Sequence, residues 1–181
     1  MFIRIERLLA PALTRVCGLA GWLAVASTPL GPAAAGDIIS TDPWEVIHAV
    51  RAFGPADVVK DDFRDPRIDA VLERDAGGPG GLPYTLTFHG CDMGRNCTSI
   101  LLALRLRHAS WAEKPPSDAV LAAWNARKLV GRAWLDAENG AVLDHAVVMG
   151  AGLPRDTLTA TLDLWKTAMR EFMEHVDFPG K

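Results

Sequence analysis

The segment from Tyr84 to His108 constrains the fold most strongly, because it consists of two strand-like arms joined by a short loop with a cysteine at each end. Both arms alternate between apolar and polar residues with a period of two, which is typical of strands with one buried face. The apolar positions are Tyr84, Leu86 and Phe88 in the first arm, and Ile100, Leu102, Leu104 and Leu106 in the second. The pattern predicts an antiparallel hairpin with its apolar face toward the core.

The two cysteines, Cys91 and Cys97, fit this hairpin as a facing pair. If they face each other, the register produces three apolar cross-strand pairs: Phe88–Ile100, Leu86–Leu102 and Tyr84–Leu104. The same register places both cysteines on the opposite face, with Thr85 and Thr87. Directly opposed strand residues have Cα atoms about 4.5–5.5 Å apart, which a disulfide can bridge. A disulfide is therefore the favoured interpretation.

Two other uses of the cysteines remain open. A metal site could combine Cys91 and Cys97 with His89, but it has no clear fourth ligand and no C-x₂-C spacing. The pair could also act as free, redox-active thiols. We expect a disulfide, no metal and no cofactor.

The N-terminus has the three parts of a secretory signal peptide. A basic start precedes the apolar run Val16–Ala26, whose 11 residues are too few to span a bilayer. Small residues at Ala33 and Ala35 suit a signal peptidase. The pattern predicts a signal peptide over residues 1–35, cut after Ala35. An N-terminal core helix and an uncleaved anchor are the alternatives.

Cleavage would leave a single domain over residues 36–181, with a periplasmic or secreted location. It removes Cys17, so that only Cys91 and Cys97 remain, an even number in an oxidising compartment. It also removes three arginines and one glutamate, which lowers the formal net charge from −3 to −5. A negative domain argues against nucleic-acid binding. No other apolar run is long enough for a membrane span.

The order of elements predicts an α+β fold. Runs of hairpins between helices favour an antiparallel sheet of five to six strands with helices packed on one face, in the order α-β-β-β-β-α-β-β-α. The predicted elements are a helix from Asp42 to Gly54, strands Ala56–Asp61 and Arg67–Arg74, the central hairpin, a helix Ser117–Lys128, strands Leu129–Asp136 and Ala141–Met149, and a last helix with Pro154 at its first position.

Four large or polar side chains are assigned structural roles. Trp165 lies in the middle of an apolar stripe along the last helix, and Trp124 faces inward from the helix before it. Asn125 is expected to satisfy a nearby backbone group. Trp134 lies in the first strand of the second hairpin.

Three short motifs resemble the YbjN-like family of bacterial proteins. They are Gly90-Cys91 followed by Cys97, then Trp124-Asn125, then Arg132-Ala133-Trp134-Leu135-Asp136, in that order and spacing. The resemblance runs from about Thr41 to Val176. It implies a fold similar to type III secretion chaperones, which are small α+β homodimers that bind polypeptides, and a sensory-transduction regulator without a catalytic mechanism. An exported protein cannot load substrates for cytoplasmic secretion, so the chaperone role does not transfer directly.

Two classes of function follow from these observations. The first is an exported, non-catalytic binding or regulatory module that recognises an envelope peptide or protein, either alone or as a homodimer. Its candidate binding residues are His89, Asp92, Met93 and Arg95, around the cysteine loop. The alternative is a small envelope enzyme with a site near His89 and the same loop. A serine opposite His89 without an oriented acid is weak support for hydrolysis, so no catalytic residue is assigned.

Overall fold

The body of the protein is an antiparallel sheet with α-helices on one face. The structure is a computed structural model, and it describes residues 38–39, 42–60, 66–72, 81–111 and 113–179. The predicted signal peptide and its cleavage site lie outside these residues. The described elements are β1 (Ile38–Ile39), α1 (Pro43–Arg51), β2 (Ala56–Lys60), β3 (Arg67–Leu72), β4 (Leu82–His89), β5 (Ser99–Leu106), a 3₁₀ turn (Ala109–Trp111), α2 (Asp118–Arg127), β6 (Arg132–Leu135), β7 (Ala141–Val148), β8 (Leu153–Pro154) and α3 (Arg155–His175).

Six of these strands form the main sheet, in the order β2-β3-β4-β5-β7-β6. Every neighbouring pair is antiparallel. The sheet confirms the predicted α+β class, and its main elements follow the predicted order. The strand β7 lies between β5 and β6, so the second hairpin continues the sheet that the central hairpin begins.

The two faces of this sheet differ in what covers them. We call the side packed by helices the covered face and the other side the open face. Helix α1 contacts β2 and β3, α2 contacts β6, and α3 contacts β7. The covered face buries alternate residues of the central strands: Ile68, Ala70, Leu72, Leu82, Tyr84, Leu86, Phe88, Ile100, Leu102, Leu104 and Leu106. This alternation is the period-two pattern of the sequence, with the predicted apolar positions inside.

Helix α1 begins where its capping residue predicts. The Asp42 side chain accepts a hydrogen bond from the Trp44 backbone N–H at 3.0 Å, and Pro43 occupies the first helical position. One side of the helix buries Val46, Ile47 and Val50. The cap and the apolar stripe together fix both the start of the helix and its orientation on the sheet.

Helix α3 buries the whole of its predicted stripe. The buried residues are Leu158, Leu162, Trp165, Met169, Phe172 and Val176. The Trp124 ring of α2 packs on Phe172 with 5.1 Å between ring centroids. The His175 ring lies 2.8 Å from the Val120 carbonyl oxygen, which joins the ends of the two helices. Among the described helices, none has the length and apolar character that a membrane crossing requires.

The start of α3 differs from the prediction. Pro154 was expected at the first helical position, but it lies at the N-cap, in the two-residue strand β8. This strand pairs with β1, opposite Ile38 and Ile39. The helix begins one residue later because Pro154 is extended, with φ −55° and ψ 136°.

The strand predicted from Leu129 also begins later, at Arg132. Gly131 has φ +83°, a conformation that favours glycine, and a Cβ there would come within 2.6 Å of the Leu143 side chain. The backbone therefore turns at Gly131, and Leu129 is fully exposed instead of lying in the sheet.

Candidate recognition site at the hairpin tip

The central hairpin has the predicted register. Phe88 pairs with Ile100, Leu86 with Leu102 and Tyr84 with Leu104. At the end of the ladder His89 pairs with Ser99. The three apolar pairs set the register of the arms, so the tip extends from two neighbouring strands inside the main sheet.

A tight turn closes the tip. The Asp92 N–H donates to the Arg95 carbonyl at 2.7 Å, and the Arg95 N–H donates to the Asp92 carbonyl at 2.9 Å. The two residues between them have positive φ, 48° at Met93 and 76° at Gly94. Positive φ at both central positions is the pattern of a type I′ turn, which suits the twist of a hairpin. Glycine at the second position follows from this geometry, but methionine at the first does not.

The two cysteine sulfurs lie 2.13 Å apart, at bonding distance. Their surroundings differ from the prediction of two cysteines on the open face. Cys97 is fully buried in the core and Cys91 is half-buried. The Cα atoms are 3.8 Å apart, closer than a directly opposed strand pair. The reason is Gly90, whose φ of +64° ends the strand, so the alternation of faces does not extend to the cysteines.

The predicted binding residues Asp92, Met93 and Arg95 do gather at this tip. The Met93 side chain is 74% exposed. The Arg95 Nε lies 3.9 Å from Oδ2 of Asp42, the capping residue of α1. Trp44, the second residue of that helix, is half-exposed. The tip is thus a protruding apolar side chain on a turn that an ion pair connects to the start of a helix.

The fourth predicted residue, His89, lies on the open face at the base of the tip. Its backbone carbonyl accepts hydrogen bonds from the Thr98 N–H at 3.0 Å and from the Thr98 hydroxyl at 3.2 Å. Within the described part of the chain, no hydrogen bond joins the His89 ring to a carboxylate. The described residues also contain no group of three or more histidine, cysteine, aspartate or glutamate side chains that could hold a metal.

Trp124 and Asn125, for which the sequence predicts structural roles, lie beside β6 on the side away from β7. The Asn125 amide donates to the Ala133 carbonyl at 2.9 Å and accepts from the Ala133 N–H at 2.8 Å. The Trp124 indole donates to the Gly131 carbonyl at 3.1 Å. Asn125 therefore occupies backbone groups that would otherwise be open to another strand.

A polar cluster around Asp144 was not predicted from the sequence. Asp144 is only 8% exposed and receives a hydrogen bond from the Trp134 indole at 2.7 Å. Both Nε and Nη2 of Arg132 also donate to it, at 3.3 and 2.9 Å. The direction of side chains along β7 places Asp144 on the face opposite Leu143, but no local pattern indicates that the carboxylate is buried there. A buried carboxylate with three donors stabilises the β6–β7 pair.

A second polar cluster closes the turn between β6 and β7. The Asp136 carboxylate accepts from Arg107 at 2.8 Å and from the backbone N–H groups of Gly140 and Glu138 at 2.8 and 3.0 Å. Burial alone would raise the pKa of Asp136, but these hydrogen bonds outweigh it and hold the pKa below its ordinary value. The cluster therefore stabilises the β6–β7 turn through hydrogen bonds to an ionised carboxylate.

The open face also carries a groove of about 760 Å³ beside the edge of the sheet formed by β2 and β3. Its central pair is Arg67 and Asp69, with Nε–Oδ1 and Nη2–Oδ2 distances of 2.9 and 3.0 Å. Asp57, Thr85, Thr87 and Arg105 are among the other residues that line it. Arg67 and Asp69 neutralise each other where they meet, so the centre of the groove carries no net charge.

Sheet, helices and closed tip together define a small α+β domain in which a protruding turn gathers three of the four predicted recognition residues. The chain belongs to the YbjN family, because the family's sequence model, described as "Putative bacterial sensory transduction regulator", matches residues 58–178. The predicted resemblance is thereby confirmed. The family description names a regulator and no reaction, which is consistent with a non-catalytic role.

Among solved structures, the chain is similar to the crystal structure of YbjN from E. coli, described as "a putative transcription regulator". The TM-score is 0.44 and the sequence identity 12%, over 77% of this chain and 92% of that one. A comparison with curated proteins gave no match.

Proposed function

We propose that the protein is an exported, non-catalytic binding or regulatory module that recognises an envelope peptide or protein through its hairpin tip. One observation carries this proposal: Met93 lies in a left-handed backbone conformation with its side chain 74% exposed. Strained residues on exposed turns cluster at ligand-binding positions.

The argument depends on what Met93 costs the fold. A non-glycine residue in the left-handed region costs roughly 1–2 kcal/mol, and glycine, asparagine or aspartate is usual at this position of a type I′ turn. The exposed methionine side chain provides no compensating burial. A side chain that the fold does not need is therefore best explained by a contact outside the fold, and methionine adapts well to apolar partner surfaces.

The surroundings of Met93 favour a fixed geometry. The Asp92–Arg95 backbone pair, the proposed Cys91–Cys97 bridge and the Arg95–Asp42 ion pair all restrict the turn. Preorganisation of this kind lowers the entropy lost on binding. The exposed Trp44 at the start of α1 belongs to the same proposed surface.

Export is the second part of the proposal. Its support is the basic start, the apolar run Val16–Ala26 and the small residues at Ala33 and Ala35. The cysteine pair agrees with an oxidising compartment, where disulfides persist. We place the mature protein, residues 36–181, in the periplasm or outside the cell, where it acts alone or as a homodimer.

The test is quantitative capture from envelope extract, followed by mass spectrometry of the retained proteins. Three forms are compared: the wild type, Met93→Gly and Leu164→Ala. Glycine keeps the positive φ and removes only the side chain. Leu164 is another exposed apolar residue, 57% exposed on α3, and serves as the matched control.

We expect Met93→Gly to lose at least about tenfold in retention of the wild-type partner, as for a central interface residue, with an unchanged or higher free energy of unfolding. Leu164→Ala should retain the partner. Equal retention by the wild type and Met93→Gly would show that the tip is not the recognition surface.

A further inference from the structure

Among the described residues, one stretch of the main sheet has a paired strand on one side and none on the other. The strand β7 runs to Val148, but its neighbour β6 begins at Arg132, opposite Asp144. Of the strands that the structure describes, β5 alone pairs with residues His145–Val148. We call the open side of these four residues the β7 notch.

The direction of the backbone groups in the notch follows from two hydrogen bonds. In an antiparallel ladder, successive residues bond alternately to the strands on either side. The Met149 N–H donates to Thr98 on the β5 side at 2.9 Å, so Val147 and His145 bond in that direction too. Ala146 and Val148 must then direct their N–H and C=O groups to the other side, into the notch.

The β6 side of the ladder gives the same answer. The Asp136 N–H donates to the Gly140 carbonyl at 2.9 Å, so the even-numbered residues of β7 bond toward β6. Pairing stops after Asp144 because the backbone turns away at Gly131, with φ +83°. In the described part of the chain, no backbone hydrogen bond reaches Ala146 or Val148 from that side.

The outer edge of the neighbouring strand, β6, is covered by a side chain. Asn125 bonds both backbone groups of Ala133 on the outer side of β6, at 2.9 and 2.8 Å. Native sheets usually cover, charge or shorten their edges to prevent unwanted pairing. Among the described residues, no side chain bonds the backbone groups of Ala146 and Val148 in the same way. The neighbouring strand β6 is thus protected at its edge, and the end of β7 is not.

The side chains around the notch are apolar and exposed. Val148 is 79% exposed and Leu129 fully exposed. A hollow of about 650 Å³, which Leu101, Leu129 and Ala146 help to line, lies alongside. The charged groups at its rim are already paired, Lys128 with Glu171 at 2.6 Å and Arg132 with Asp144 at 2.9 Å. The site therefore favours an uncharged occupant.

We propose that the β7 notch binds an extended, uncharged segment of another protein as an added strand, with apolar side chains at alternate positions toward the open face. Two backbone donor–acceptor sets, at Ala146 and Val148, match the spacing of alternate residues in such a strand. The stretch of four residues and its flanking hollow suit a segment of roughly four to six residues. This site is separate from the hairpin tip, and either one could bind without the other.

The test uses the ¹⁵N-labelled protein and a blocked peptide of alternating threonine and valine, about seven residues long. The matched peptide has the same sequence but is N-methylated at every residue, so neither of its edges can donate a hydrogen bond. We expect the first peptide to shift the Ala146 and Val148 amide signals and to slow their hydrogen exchange, and the methylated peptide to do neither.

The protein side of the test is Ala146→Pro, compared with Ala146→Thr. Proline removes only the donor that faces the notch, a position where a strand tolerates it, whereas threonine keeps the donor. We expect Ala146→Pro to bind the peptide about five- to tenfold more weakly, the loss of one hydrogen bond. If Ala146→Pro does not fold, the comparison of the unmethylated and methylated peptides on the wild-type protein tests the proposal by itself.

Three results would overturn the proposal. The first is no shift of the two amides at millimolar peptide, and the second is equal binding of the methylated peptide. The third is self-association that protects Ala146 and Val148 without peptide, because the occupant would then be a second copy of the chain.

Discussion

At the scale of single residues, Met93 departs from the residue preference of its turn, and the proposed recognition role would explain this departure. Positions 90 and 94 have φ of 64° and 76°, a region that favours glycine, and both are glycines. Met93 shares the left-handed region without glycine's freedom. Local violations of this kind are expected mainly at functional positions, since elsewhere a better residue costs nothing.

Tyr84 provides a pH prediction at the same scale. Its burial raises the pKa of Tyr84 to about 12. Below about pH 10 the hydroxyl is neutral in both the folded and the unfolded state. As the pH rises from 10 toward 12, only the unfolded state releases the proton, so the folded state loses stability, by roughly 3 kcal/mol when the shift is complete.

The chain has a single tyrosine, so absorbance near 295 nm reports Tyr84 alone. We expect an apparent pKa well above 10 that moves to an ordinary value in denaturant. Tyr84→Phe is the control. Between pH 10 and 12 the wild type should lose more unfolding free energy than this variant, because phenylalanine has no proton to release. A native titration at the ordinary value would mean that the hydroxyl reaches solvent.

At the scale of elements, the central hairpin owes its register to packing and not to the cysteine bridge. The pairs Phe88–Ile100, Leu86–Leu102 and Tyr84–Leu104 lie in the covered face. We therefore expect Cys91→Ser combined with Cys97→Ser to stay folded and to lose about 2 kcal/mol of unfolding free energy, the chain-entropy value for a short loop.

Urea denaturation measures this loss, and the wild type in reductant should match the double variant. Partner capture should fall by more than the stability change explains, because the tip is no longer held closed. Unchanged capture by the folded double variant would leave the bridge a purely stabilising role.

Helix α3 depends on the middle of its stripe. Trp165 is 1% exposed and its ring is stacked on His145 of β7, with 6.4 Å between centroids. We expect Trp165→Ala to cost about 3–5 kcal/mol, the range for large-to-small core changes. The exposed neighbour Leu164 is the control, since its replacement by alanine should change stability by less than about 0.5 kcal/mol. A cost below about 1 kcal/mol at Trp165 would contradict the packing.

Sequence patterns predicted the elements that have their own periodicity or caps. The alternation around Leu86 and Leu102 and the Asp42 cap were sufficient for the hairpin and for α1. The two-residue pairing of β1 with β8 carries no such pattern, since its residues are brought together only by the rest of the fold. The late start of β6 depends on a contact with Leu143 that no local pattern contains.

The candidate site was predictable to the same degree. The cysteine spacing located the tip, and Asp92, Met93 and Arg95 do lie there. The burial of Cys97 was not predictable, because it follows from the conformation of Gly90. The β7 notch was also hidden from the sequence, since it exists only where two strands of unequal length lie side by side.

At the scale of the whole molecule, the location of the protein and the state of its cysteines are linked. Disulfides persist in oxidising compartments, and cleavage after Ala35 would remove the third cysteine, Cys17. We expect protein recovered from the envelope to begin at Gly36 or within a few residues of it.

The intact mass of that protein should be lower than the mass of the reduced chain by two hydrogens, and it should not react with a thiol reagent before reduction. N-terminal sequencing and mass spectrometry before and after alkylation measure both properties on one sample. A full-length cytoplasmic product with two reactive thiols in the domain would contradict the export proposal. It would also remove the bridge that holds the tip, so the recognition proposal would then depend on the Asp92–Arg95 turn alone.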